Sequence, residues 1–176
     1  LPHGLLAVSI ATTFVPDLAR MFHRGDHQQF SLLMANGIRL TALFTIPASC
    51  GLWVMSKPII GLLFQHGNFS AAATANTARA LSGLAIGLAG FSIYLFVLRG
   101  FYARNDTRTP FFINVGENAI NIVLAIVLVD RHGVFGLGLS FSIAYLVSAF
   151  VALLILESTE VDIKLSELAF NIVRIA

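Results

Sequence analysis

Long apolar runs broken by short polar turns are the dominant pattern of this chain. The first covers residues 1–22, carries Pro2 and Pro16, and ends in His23-Arg24-Gly25-Asp26-His27. The second covers 30–55 and stops at Ser56-Lys57-Pro58; a brief apolar piece, 59–64, then leads to the turn His66-Gly67-Asn68-Phe69-Ser70. The third, 71–102, closes at Ala103-Arg104-Asn105-Asp106-Thr107-Arg108-Thr109-Pro110. The fourth, 111–129, ends at Asp130-Arg131-His132-Gly133, and the fifth covers 134–156. Crossing the hydrocarbon core as a helix takes ~20 mostly apolar residues, the scale of these five runs. A barrel strand needs only ~10 residues and would alternate, and no sustained alternation appears. The pattern predicts an all-α integral membrane bundle of about five transmembrane helices.

Composition makes that reading a statement about solvent. Of the 176 residues, 57% are hydrophobic and only 11% charged, against roughly 25% charged in a soluble domain. Mean hydropathy is +0.83. A water-soluble domain of this size leaves about a third of its chain surface exposed and cannot hide so much apolar area. The chain opens inside apolar sequence at Leu1 without an initiator Met or a basic leader. After the polar stretch 157–167, a sixth apolar run begins at Leu168 and stops at Ala176. The expectation is therefore an internal piece of a longer membrane protein, with residues 1–156 a five-span unit and 157–176 a connector entering the next helix.

Charge excludes further classes. Eleven Lys and Arg face nine Asp and Glu, with no dense basic face of the kind nucleic acid requires. Cys50 is the single cysteine, so neither an intrachain disulfide nor a cysteine zinc set can form. No phosphate-cradling glycine loop, paired metal-spaced histidines or serine elbow is present. His3, His23, His27, His66 and His132 lie near run ends, as interface residues do. No catalytic or metal-binding residues are expected.

Orientation follows from the Lys/Arg bias of the turns. The turns after the first and third runs fall on one side and carry Arg20, Arg24, Arg99, Arg104 and Arg108. The opposite side has Lys57, Arg131 and, just inside the third run, Arg79. Five against three places the Arg24 and Arg104 turns in the cytoplasm, with the five arginines as cytoplasmic anchors.

Charge inside a span is costly and usually faces protein or water. Glu117 sits among Asn114, Asn118 and Asn121, and their spacing puts all four on one helical face. Such a stripe faces either a neighbouring helix, where amides fix packing, or a substrate pathway. Arg39, near the start of the second run, and Arg79 could each meet an anionic headgroup or snorkel to the interface. Pro16 and Pro47 lie inside runs and mark helix bends, since proline frees a carbonyl one turn back. Gly83, Gly87 and Gly90, with Gly133, Gly136 and Gly138, offer small-residue packing.

The strings carrying these features resemble a known family. Leu1-Pro2-His3-Gly4 with Thr13-Phe14-Val15-Pro16-Asp17-Leu18 looks like the eighth span of the MurJ/MviN lipid II flippases. These belong to the multidrug/oligosaccharidyl-lipid/polysaccharide exporter superfamily. Gly37-Ile38-Arg39-Leu40 with Pro47 is similar to the next span. Leu63-Phe64-Gln65-His66-Gly67-Asn68-Phe69, followed by Arg79-Ala80-Leu81 and Gly87-Leu88, is similar to the tenth. Gly100 to Pro110, with Phe101-Tyr102-Ala103, Asp106 and Thr109-Pro110, resembles the family's turn between spans ten and eleven. Asn118, Asn121 and Gly136-Leu137-Gly138-Leu139-Ser140 complete the set. The likeness covers residues 1–156, and its wording is nearest to actinobacterial members.

The resemblance implies spans eight to twelve of a fourteen-helix transporter, most of its second lobe, in the bacterial cytoplasmic membrane. Even-numbered spans would run from outside to inside, in agreement with the arginine count. It implies movement of lipid II, the undecaprenyl-pyrophosphate-linked peptidoglycan precursor, from the inner to the outer leaflet by alternating access. The alternatives are a carrier of another lipid-linked oligosaccharide or a drug/cation antiporter of the same superfamily, against which the string from Phe101 to Pro110 argues, and a non-transporting membrane scaffold. Partners would be that lipid, the bilayer, and the first lobe and tail-groove helices of the same protein. No cofactor is implied beyond coupling to the membrane potential or a monovalent cation, for which Glu117 is the candidate acid. The family's main headgroup arginines lie outside these residues, so the pathway candidates here are Arg39, Arg79, Glu117, Asn114, Asn118 and Asn121. The fragment alone is expected not to transport.

Overall fold

A computed structural model describes residues 8–66 and 69–158, with side chains from residue 14 onward. Leu1 to Gly4, Gly67, Asn68, the connector beyond Ser158 and the sixth run lie outside the described residues. Six helices follow in order: α1 (Val8–His23), α2 (His27–Val54), α3 (Ser56–Phe64), α4 (Ala71–Ala103), α5 (Arg108–His132) and α6 (Val134–Ser158). Four of them, α2, α4, α5 and α6, are long and apolar enough to cross a membrane. They match the second to fifth predicted runs. The 16 residues of α1 are the described part of the first.

Capping explains where helices start ahead of the apolar runs. Asp26 accepts a hydrogen bond from the Gln29 N–H at 3.1 Å, so His27, Gln28 and Gln29 form a polar first turn of α2. Asp106 does the same for α5, accepting from the N–H groups of Arg108 at 3.0 Å and Thr109 at 3.1 Å. Pro110 then sits in the first turn, where its missing N–H costs nothing. The short piece after Pro58 is also helical, as α3, with Pro58 likewise in its first turn.

The central helix is α4, which packs along α6 on one side and α2 on the other, while α5 rests on α6 and scarcely touches α4. In lipid, helices associate through close packing and hydrogen bonds more than through apolar burial. The α4–α6 seam meets that demand with small residues. A Cβ on Gly83 would stand 2.8 Å from the Phe135 carbonyl oxygen, and one on Gly138 would stand 2.8 Å from the Ala80 carbonyl oxygen. Farther along, the rings of Phe91 and Tyr94 on α4 meet those of Phe141 and Tyr145 on α6 across the seam, with the Phe91 and Tyr145 centroids 4.7 Å apart in an edge-to-face pair. On the other flank Phe30, Met34 and Ile38 of α2 meet Phe96, Val97 and Phe101 of α4 in a buried cluster. Gly37 and Gly100 leave the space that the Phe96 ring and Met34 occupy. Ser49 adds an interhelical hydrogen bond to the Ala85 carbonyl.

The turns after α1 and α4 meet at one end of the bundle. The Arg104 guanidinium carbon lies 5.5 Å from the Phe22 ring centroid, and Asn105 Nδ2 lies 3.5 Å from His23 Nε2. This is the pairing of turns that alternate crossing requires.

Candidate functional site

The polar stripe of α5 is built on a helix with little else buried. Only Pro110, Ile113 and Glu117 are buried in it, while Phe111, Phe112, Ile122, Val123, Ile126 and Val127 are exposed. Asn114, Glu117, Asn118 and Asn121 share one helical face spanning an arc of about 100°. The structure divides that face along its length. Glu117, 2% exposed, and Asn121, half-buried, turn toward α6; Asn114 and Asn118 turn outward.

Each half has its own chemistry. On the inner half, Ser140 Oγ of α6 donates to the Leu137 carbonyl at 2.8 Å and shares that proton with Asn121 Oδ1 at 3.1 Å. Glu117 Oε1 has no hydrogen-bond partner among the described residues, nor does the Tyr94 hydroxyl. Glu117 is within electrostatic reach of Tyr94 on α4 and Tyr145 on α6, whose rings stack at 5.5 Å. A buried carboxyl within a membrane-spanning helix is costly and usually faces protein or water. On the outer half, Asn118 Nδ2 donates to both the carbonyl and Oδ1 of Asn114, each at 2.9 Å. These amides line an open groove of about 700 Å³ with Tyr102, Thr107 and Phe111.

Beside that groove, the Asp106 carboxyl is held below its ordinary value. The Thr109 side-chain hydrogen bond is the largest cause, followed by partial burial acting the other way. The N–H groups of Thr109 and Arg108 and the charge of Arg104 add to the lowering.

The remaining candidates are not gathered here. Arg39 lies in a separate groove between α1 and α2. It is the thirteenth of the 28 residues of α2, so it sits mid-helix and not near the start as its place in the second run suggested. Arg79 is exposed on α4, and lines neither groove. Of the anchors, Arg20 pairs with Asp17 at 3.4 Å, both side chains being more than half exposed. Arg24 and Arg108 are exposed, and Arg99 and Arg104 half-buried. Pro16 and Pro47 are inside α1 and α2, each removing one helical N–H.

Tyr94 and Tyr145 are not among the sequence candidates, and Ser140 enters there only as the end of the Gly136–Ser140 string. Their signal was present as single polar atoms in otherwise apolar spans, but nothing in the one-dimensional pattern tied them to Glu117.

Comparison with known proteins places these features. All of residues 1–176 match the family model described as lipid II flippase MurJ. A probable lipid II flippase MurJ of Rhizobium meliloti is 34% identical over 159 residues, 90% of this chain and 29% of that protein. The lipid II flippase MurJ of Thermosipho africanus is 33% identical over 144 residues, 82% of this chain and again 29% of that one. Among solved structures, a lipid II flippase MurJ in an inward closed conformation aligns with a TM-score of 0.79 at 30% identity. That alignment covers 98% of this chain and 37% of the solved one. The chain thus spans under a third of the length of these curated relatives. With a multi-pass helical membrane architecture and a family model matched from end to end, the chain belongs to the MurJ lipid II flippase family.

Proposed function

We propose that this chain is a large part of the second lobe of a lipid II flippase in the bacterial cytoplasmic membrane. The whole protein moves the lipid-linked peptidoglycan precursor from the inner to the outer leaflet. A pyrophosphate-sugar headgroup cannot cross ~30 Å of hydrocarbon unaided, because burying unpaired charge in a low dielectric is prohibitive. Rocking of two lobes about a central cavity carries the headgroup across while the isoprenoid tail stays in lipid. The observation that carries this reading is the family match over all 176 residues.

The geometry is consistent with it. The α5 helix leaves most of its surface uncovered, with the Asn114–Asn118 groove open beside it. A first lobe packing there would enclose the groove. The arginine count sets the Arg24 and Arg104 turns in the cytoplasm. Glu117 serves as the acid through which a monovalent cation or the membrane potential biases the rocking.

The test uses the full-length protein. The host's own lipid II flippase is depleted, the protein is supplied, and lipid II exposed at the outer leaflet is measured. Restored exposure that disappears when residues 1–176 are deleted supports the proposal. Normal abundance without restored exposure would transfer the assignment to another lipid-linked sugar carrier of the superfamily.

A further inference from the structure

Besides Glu117, a second charge in this bundle is unexplained by packing. Arg39 is the only charged residue in α2, and it lies about 18 Å from the start of a helix about 42 Å long. With a hydrocarbon core of ~30 Å centred on that helix, Arg39 is about 12 Å inside the nearer boundary. A stem of about 7 Å does not bring its head to the interface, so snorkelling does not account for it. Arg39 is half-buried, its Nε is shielded and has no hydrogen-bond partner, and it forms no ion pair among the described residues. A guanidinium left in that state within a membrane calls for an anion.

The surroundings indicate which anion. Arg39 lines a groove of about 500 Å³ between α1 and α2, walled by Phe14, Leu33, Leu40 and Leu43. Asn36, one turn away on α2 and exposed, adds the only other polar side chain among the described residues. Leu32, Leu40, Leu43 and Phe44 are all exposed along the same helix, so the groove opens onto an apolar surface continuous with its walls. A hydrocarbon chain fits those walls, and a planar guanidinium fits phosphate oxygens two at a time.

We propose that this groove holds the pyrophosphate of an isoprenoid-linked substrate on Arg39, as a waypoint at mid-depth, with the Asn36 amide beside it. The proposal rests on the flippase reading above and deepens it by naming a second-lobe contact for the headgroup. A simple phospholipid is a poorer occupant, since its phosphate belongs at the interface and not at the centre of the bilayer.

The experiment places a photoreactive p-benzoylphenylalanine at Leu43 of the full-length protein in phosphatidylethanolamine vesicles. Undecaprenyl pyrophosphate is the probe, and capture is read by mass spectrometry. Capture is expected with Arg39 intact, to fall by about tenfold in Arg39→Gln, and to recover in part in Arg39→Lys, which keeps the charge but loses the fork. Leu40→Trp, which fills the groove and leaves the charge alone, should also suppress it and decides the matter if Arg39→Gln does not fold. Neither inorganic pyrophosphate nor a fivefold excess of phosphatidylglycerol should compete. Competition by phosphatidylglycerol would make the groove a general phospholipid seat and overturn the proposal. Undiminished capture in Arg39→Gln would overturn it too, as would a lowered thermal midpoint with unchanged capture, which marks a protein carboxylate as the partner of Arg39. Lipid II exposure by the wild-type protein separates these results from failure of the flippase reading itself.

Discussion

The Ser142 hydroxyl of α6 donates to the carbonyl oxygen of Gly83 on α4 at 2.6 Å, where the two helices cross with glycines at the contact. The bond forms because no side chain holds the two backbones apart. Gly87 shows how little room remains: a Cβ there would lie 2.5 Å from both Cα and Oγ of Ser142. Interhelical hydrogen bonds in membranes average only ~0.6 kcal/mol, so Ser142→Ala is expected to cost about that much. Gly87→Val forces the helices apart and should cost about 1–3 kcal/mol. Gly116→Ala on α5, with nothing within 4 Å, should be neutral or mildly stabilising. Thermal unfolding of the full-length protein in detergent measures all three, and equal losses in Gly87→Val and Gly116→Ala would contradict the packing argument.

At the opposite scale of crowding, three turns contain a residue of positive φ, Gly25, Asn105 and Gly133. Gly133 joins α5 to α6 at φ 57° and ψ −137°, which a residue with a Cβ adopts only under strain. Gly133→Ala should therefore lower stability by about 1–2 kcal/mol despite an open surrounding. Asn105, at φ 58°, is in the left-handed region that asparagine tolerates. Asn105→Gly should be close to neutral and Asn105→Val destabilising, by the same unfolding measurement.

The Asp106 cap has a pH signature. Its carboxyl is held below its ordinary value, so its contribution to stability is full above about pH 4. That contribution is lost as pH falls through the lowered native value. Asp106→Ala should cost about 1 kcal/mol at neutral pH, the typical worth of a helix cap. The gap between wild type and variant should then close below about pH 4. A gap that persists unchanged at pH 3 would mean that hydrogen bonding to the ionised carboxylate is not its source.

Hydropathy alone located the four long helices, because each must present ~20 apolar residues to the same solvent. It misplaced the starts of α2 and α5 by three residues, since Asp26 and Asp106 recruit polar residues into the first turn. The helical nature of α3 was not visible: nine residues are too few for a period to declare itself. Periodicity put Asn114, Glu117, Asn118 and Asn121 on one face and could go no further. Which edge of that face is covered depends on where α6 crosses, and that is set by Gly136 tucked against the Leu128 carbonyl and by the α4–α6 seam. Arg39 illustrates the same limit, because its depth follows from a helix start that a cap decides.

Glu117 is the residue on which packing and transport make opposite predictions. A buried carboxyl with an unpartnered oxygen contributes little to holding a bundle together, and replacing such a group by a neutral one of similar volume is often harmless to stability. Glu117→Gln and Glu117→Leu should thus reach the membrane in normal amounts with little change in thermal midpoint. If Glu117 exists to gain and lose charge during the cycle, both variants should still slow lipid II flipping by about tenfold, equivalent to ~1.4 kcal/mol on the barrier. They should also lose whatever response the wild-type rate shows to an imposed monovalent-cation gradient or membrane potential. Glu117→Asp keeps the carboxyl on a side chain one methylene shorter and should retain that response at a reduced rate. The deciding comparison is flipping in vesicles with and without the gradient. A Glu117→Gln protein that flips at the wild-type rate and responds equally would leave the acid a packing element and move the coupling elsewhere in the full-length protein.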